Sequence, residues 1–113
     1  MESIKANAVE PFNPVEGVRN ANLLEGERMN LLEFHIEPGM TVPDHEHPHE
    51  QMGYIISGEA TFVVNGESTV LGPGDGYRIP GGETHRLENR GEDPVLGVDV
   101  FSPPRDIAPF ADE

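Results

Sequence analysis

The chain has 113 residues, enough for one modest hydrophobic core and too few for two. Seven basic residues stand against 21 acidic ones, a formal charge of −14. Such a surface repels nucleic acid and anionic membranes, and it leaves local positive charge, from an arginine or a metal ion, as the means of holding an anionic small molecule.

With no cysteine there is neither a disulfide framework nor a thiolate metal site. The N-terminal MESIKANAVEPF lacks the basic-then-apolar layout of a signal peptide, and no apolar run approaches membrane-spanning length, so the default expectation is a cytoplasmic protein. Residues 1–20, with Pro11 and Pro14, read as an N-terminal arm or edge strand. In MNLLEFHI, 29–36, Leu32, Phe34 and Ile36 alternate against Leu31, Glu33 and His35, a strand period. EPGM, 37–40, is a turn; 51–57 and 59–64 are two more strand-like runs parted by Gly58. Asn65-Gly66 is a strong hairpin signal, because both turn positions want a positive φ. STVL then pairs back, GPGDG punctuates, YRIP is a short strand, PGGE is a turn, and PVLGVDVF, 94–101, is the last strand. No segment carries a helical stripe. With 13 glycines and 11 prolines, the pattern is that of a single all-β domain over 1–113, a sandwich or closed barrel of about eight short strands.

Three of the five histidines fall at alternate positions in HEHPHEQ, 45–51. His45 and His47 share one face of an extended backbone, and Gln51 has the same parity if the chain stays extended through Pro48. His85 is remote in sequence but follows a Pro-x-Gly turn that can bring a neighbouring strand alongside. Three imidazoles and an amide oxygen suit one divalent transition metal ion per chain (zinc, nickel, manganese or iron) and leave coordination positions open. The alternative is the polar face of an exposed strand. His49, just past Pro48, reads as a residue at the rim or supporting a ligand, and only secondarily as a ligand itself; His35, beside Phe34, reads as a surface or partly buried structural histidine. Tyr54, Tyr77 and Arg78 lie near these runs on faces that periodicity leaves undecided.

In the last strand Val95, Gly97, Asp99 and Phe101 share one face, and Leu96, Val98 and Val100 share a wholly apolar one suited to a core or a dimer contact. An aspartate in so apolar a strand needs a partner or a task. It is either a structural carboxylate, satisfied by backbone N–H groups or by Arg105, or a carboxylate pointing into the metal cavity. Arg105 itself reads alternatively as a surface ion-pair partner.

Residues 39–89 resemble the two motifs of the cupin family. Gly39, MTVPD, His45, His47, PHE, Gln51, MGYIIS and Gly58 fill the first (39–58), with Gln where Glu is commoner. Gly74, DGYRI, Pro80, Gly82, ET, His85, RLE and Asn89 fill the second (74–89). The resemblance implies a jelly-roll (double-stranded β-helix) barrel with His45, His47, Gln51 and His85 as metal ligands near one open end, and a homodimer. A neutral Gln leaves the full divalent charge on the site, a better Lewis acid and anion anchor.

VDVFSPPRDIAPF, 98–110, is similar to the C-terminal stretch of the small cupins of pectin and alginate breakdown, which open the ring of 4,5-unsaturated uronate monosaccharides. That similarity implies catalytic roles for Asp99, Phe101 and Arg105 and a sugar-acid substrate. Asp99 would move a proton, Arg105 would hold the carboxylate and Phe101 would stack on the ring. A non-haem metal dioxygenase and a non-catalytic small-ligand cupin are the competing expectations.

Overall fold

The computed structural model describes residues 1–106. The end of the catalytic-tail resemblance, 107–110, therefore lies outside the described residues. Among those described are nine strands: β1 (Val18–Glu25), β2 (Asn30–Ile36), β3 (Thr41–His45), β4 (Glu50–Ser57), β5 (Ala60–Val64), β6 (Glu67–Leu71), β7 (Gly76–Ile79), β8 (His85–Glu88) and β9 (Val95–Ser102). They form two antiparallel sheets, one in the order β1-β2-β9-β4-β7 and one in the order β3-β8-β5-β6. Within the described residues no helix is long and apolar enough to cross a membrane.

The alternation in MNLLEFHI does what its period requires. Asn30, Leu32, Phe34 and Ile36 are buried, while Leu31, Glu33 and His35 lie half-buried on the other side. β9 repeats the pattern, with Val95, Gly97, Asp99 and Phe101 inward and Leu96, Val98 and Val100 on the outer face. The hairpin β5–β6 turns at Asn65 and Gly66 with φ of 53° and 79°, as the dipeptide demands. The motif glycines Gly39, Gly58, Gly74 and Gly82 also take positive φ, 81°, 81°, 89° and 80°.

Besides β3, which the sequence shows only as extended backbone around the histidines, two strands escape the sequence pattern. β1 has no clean alternation, its middle being half-buried throughout, yet it pairs with β2 along its length and absorbs the end of the expected arm. β8 is only four residues long, HRLE, and its burial alternates between histidine and leucine rather than between apolar residues.

Inward positions split by depth. Phe34, Ile36, Ile55, Phe62, Ile79, Leu87 and Val95 pack into one hydrophobic core. Towards the other end of the same strands the inward residues are Asn30 and Leu32 on β2, Gln51 on β4, and Asp99 and Phe101 on β9, and here the barrel holds a cavity. Asn89, which ends the second motif, is structural. Its buried amide donates to the carbonyls of Ile36 (3.0 Å) and Asp93 (2.9 Å) and its Oδ1 accepts from the Gly91 N–H at 3.0 Å.

Candidate metal centre

The chain does not stay extended through Pro48. β3 ends at His45, residues 46–49 bend, and β4 begins at Glu50 in the opposite sheet. His45 therefore enters the cavity from one sheet, Gln51 from the other, and His47 from the bend between them. His85 opens β8 and pairs directly with His45, next to a register shift in β3 between Val42 and His45 that re-aims the strand end. Parity alone would have put His45, His47 and Gln51 on one ribbon. The bend instead lets them surround a point.

The imidazoles of His45, His47 and His85 each offer a nitrogen, and these atoms all lie within 4.8 Å of one another. Ring centroids are 4.2 Å apart for His45 and His85, 5.3 Å for His47 and His85, and 5.7 Å for His45 and His47. The opposite nitrogen of each ring sits on a backbone carbonyl: His45 Nδ1 on Pro43 O (2.9 Å), His47 Nδ1 on His49 O (3.1 Å) and His85 Nδ1 on Glu83 O (2.8 Å). A carbonyl can only accept, so each Nδ1 carries the proton and each Nε2 keeps its lone pair. This is the tautomer and outer support that a metal-binding histidine needs. Gln51 Oε1 lies 3.1 Å from His47 Nε2, in the same cluster. The donor set fits a first-row divalent ion.

Asp99 is buried, and its partners are neither backbone N–H groups nor an arginine ion pair alone. The Tyr77 hydroxyl donates to its Oδ1, and the Gln51 amide donates to the same carboxylate. The neutral Gln51 thus has a second physical reason: a Glu there would set two carboxylates against each other. Arg105 reaches the cavity because its stretch of chain is pinned. Ser102 Oγ donates to Arg28 O (2.6 Å) and the Arg105 N–H donates to Asn30 Oδ1 (2.7 Å). Its guanidinium lies 5.2 Å from the Phe101 ring centroid, and Phe101 meets His47 edge-on at 5.5 Å. Phe101 is almost wholly buried beneath both. Asn30, which no motif announces, positions the arginine.

His49 lines the cavity mouth beside Glu46 and Arg105. His35 lies 3.7 Å from Glu37, away from the cluster. Tyr54 and Arg78 face outward, Arg78 towards Glu50 at 3.4 Å, whereas Tyr77 faces inward.

Three groups titrate far from their usual values, and one of them, the Tyr77 hydroxyl, is pushed well above its ordinary range by burial and by the neighbouring Asp99. His47 falls to about 4, chiefly because burial disfavours its charge, with Arg105, His85 and His45 adding repulsion. Asp99 rises to about 6 because burial outweighs the hydrogen bonds from Tyr77 and Gln51 and the charge of Arg105. For Asp99, the unfolded carboxyl ionises near 3.8 while the folded one holds its proton to about 6, so stability is lost as pH rises through that window. For His47 the unfolded ring protonates below 6.5 and the folded one only near 4, so stability is lost as pH falls through that window. The two slopes oppose each other. In metal-free protein, Asp99→Asn should therefore gain stability relative to wild type as pH rises from about 4 to 7, on the order of 1–3 kcal/mol. Urea midpoints at several pH values check this; a constant difference would mean that Asp99 is not strained by burial.

The cupin domain family matches residues 32–101. Among curated proteins none matches the sequence significantly. Among solved structures, KdgF from Halomonas sp. superposes with a TM-score of 0.84 at 24% identity, over 93% of this chain and 97% of its own. An RmlC-like cupin from Shewanella frigidimarina superposes with a TM-score of 0.85 at 23% identity, over 94% of each chain. An uncharacterised conserved protein with a double-stranded β-helix domain from Klebsiella pneumoniae is 31% identical over 88% of each chain, with a TM-score of 0.75.

Proposed function

The chain belongs to the cupin domain family, and from that premise we propose that it is a metal-dependent isomerase that opens the ring of a small sugar acid such as a 4,5-unsaturated uronate. His45, His47, His85 and Gln51 hold the metal, which when bound supplies Lewis acidity and positive charge to the oxygens of the substrate. The observation that carries the reading is the buried Asp99, held beside that cluster with Arg105 at the cavity mouth. Its pKa near 6 lets it both give and take a proton around neutral pH.

Ring opening needs that versatility. A proton leaves the anomeric hydroxyl, the bond from the anomeric carbon to the ring oxygen breaks, the ring oxygen becomes a ketone and C4 gains a proton. Asp99 moves the proton; Arg105 pairs with the carboxylate of the substrate in the two-pronged way a guanidinium allows. Phe101 supports Arg105 and His47 from below and lines the cavity where the sugar ring would lie. In deuterium oxide the linear keto product should carry deuterium at C4, seen by proton NMR, with no oxygen consumed. Turnover that consumes oxygen would refute the isomerase reading.

One observation favours a second reading. The inner cavity wall is apolar, with Leu32, Phe34, Phe62 and Leu87, which suits an aromatic or diketone substrate of a non-haem dioxygenase. Oxygen uptake with an iron-loaded sample separates the two.

We further propose a homodimer through the outer face of the five-stranded sheet. Met52, Tyr54 and Ile56 are exposed there, flanked by Val98 and Val100, and Val98 sits between Glu33 and Tyr54. Two such acidic chains repel, so added salt should tighten the pair. Val98→Asp should yield monomers in sedimentation velocity with metal content unchanged; a dimer indifferent to this substitution would place the contact elsewhere.

A further inference from the structure

Tyr77, Gly53 and Asp99 form one row across three adjacent strands. Gly53 on β4 is in register with Tyr77 of β7 on one side and with Asp99 of β9 on the other. The row faces the interior, because Gly53 shares parity with the buried Gln51 and Ile55. The middle position has no side chain, so the tyrosine leans over it and its hydroxyl donates to Asp99 Oδ1. A Cβ at position 53 would overlap Tyr77 Cζ, Tyr77 Oη and Asp99 Oδ1. Gly53 is not among the glycines with positive φ, so space rather than backbone conformation demands it. The ring is fixed from its other side by Phe62, with centroids 4.4 Å apart.

We propose that Tyr77 is a positioning residue for Asp99 and that Gly53 is the gap through which it acts. The terminal torsion of an aspartate is broad and roughly two-fold, so a carboxylate facing a cavity turns readily unless a donor fixes it. Tyr77 engages one oxygen from the β7 side and thereby sets the angle at which the carboxylate meets the substrate. Proton transfer is sensitive to that angle and to small displacements. The role rests on the ring-opening reading of the site.

The test compares kcat and KM on an unsaturated galacturonate monomer for zinc- or nickel-loaded wild type, Tyr77→Phe, Asp99→Ala and the double variant. Tyr77→Phe keeps the ring and its packing on Phe62. It should lower kcat roughly 10- to 100-fold, with KM within about threefold and metal content unchanged. In the Asp99→Ala background it should cost nothing further, because it acts only through Asp99. A Tyr77→Phe variant with wild-type kcat would overturn the proposal, as would an equal loss in both backgrounds, which is the mark of general packing. Absence of turnover in the wild type itself would instead remove the ring-opening reading and this role with it, a result distinct from any pattern among the variants.

Discussion

Replacing Asp99 with alanine should reduce turnover of a 4,5-unsaturated uronate roughly 100- to 10,000-fold, the span that a positioned general acid–base contributes. Metal should still bind at saturating loading, since all three imidazoles and Gln51 remain, although Gln51 loses the carboxylate to which its amide donates and affinity should fall by no more than the 10- to 100-fold of a lost outer partner. The reasons are local. Asp99 is only 7% exposed, at the level of the metal cluster, and is the one buried carboxylate among the described residues. The other acid lining the cavity, Asp106, is exposed. Asp99→Asn sharpens the point, because an amide oxygen can still accept from Tyr77 but cannot relay the proton. It should be about as inactive as the alanine variant. Either variant retaining more than about a tenth of the wild-type kcat would remove Asp99 from the chemistry.

The second large effect concerns the ligands. His85→Ala should abolish stoichiometric metal binding, with a loss greater than the 10- to 100-fold that removing a mere outer partner costs. His85 is buried, faces His45 across the β3–β8 pair, and has its Nδ1 proton fixed by Glu83 O. The other imidazole of that run, His49, lies at the cavity mouth, edge-on to His47 with centroids 5.5 Å apart, and is not one of the three whose nitrogens converge. Metal analysis after gel filtration reads the loss directly. Thermal unfolding reads it independently: an ion at about 100 times its Kd stabilises the wild type by about 2.7 kcal/mol, roughly 10 °C in Tm for a domain of this size, and the variant should show no such shift. A metal-dependent shift of wild-type size in His85→Ala would contradict the ligand assignment.

Where the sequence was legible, strict periods or obligatory turn residues made it so. MNLLEFHI and PVLGVDVF alternate cleanly because one face of each is sealed inside the barrel, and Asn65-Gly66 can do little but turn. The gathering of the three histidines and Gln51 was visible because the spacing of these residues follows the strand–bend–strand path that brings them together. β1 was not, since a sheet-edge strand half-buried on both sides has no pattern to read. β8 was too short to show one. The partner of Asp99 was hidden for a different reason. Tyr77 lies 22 residues away in the chain, and the contact depends on an absent side chain at Gly53, which no local pattern marks. Asn30 was hidden likewise, because its task is a hydrogen bond to the backbone of Arg105, 75 residues on.

The central claim, metal-dependent ring opening by this cavity, is tested most directly by following the ultraviolet absorbance of the enol ether of a 4,5-unsaturated galacturonate monomer. Zinc- or nickel-loaded wild type, the same protein stripped of metal, and loaded Asp99→Ala are compared with buffer. Rapid decay with the loaded wild type, falling to near the buffer rate in the other two, is the predicted result. Decay no faster than in buffer for the wild type with metal confirmed bound, or equal decay in all three samples, would contradict it.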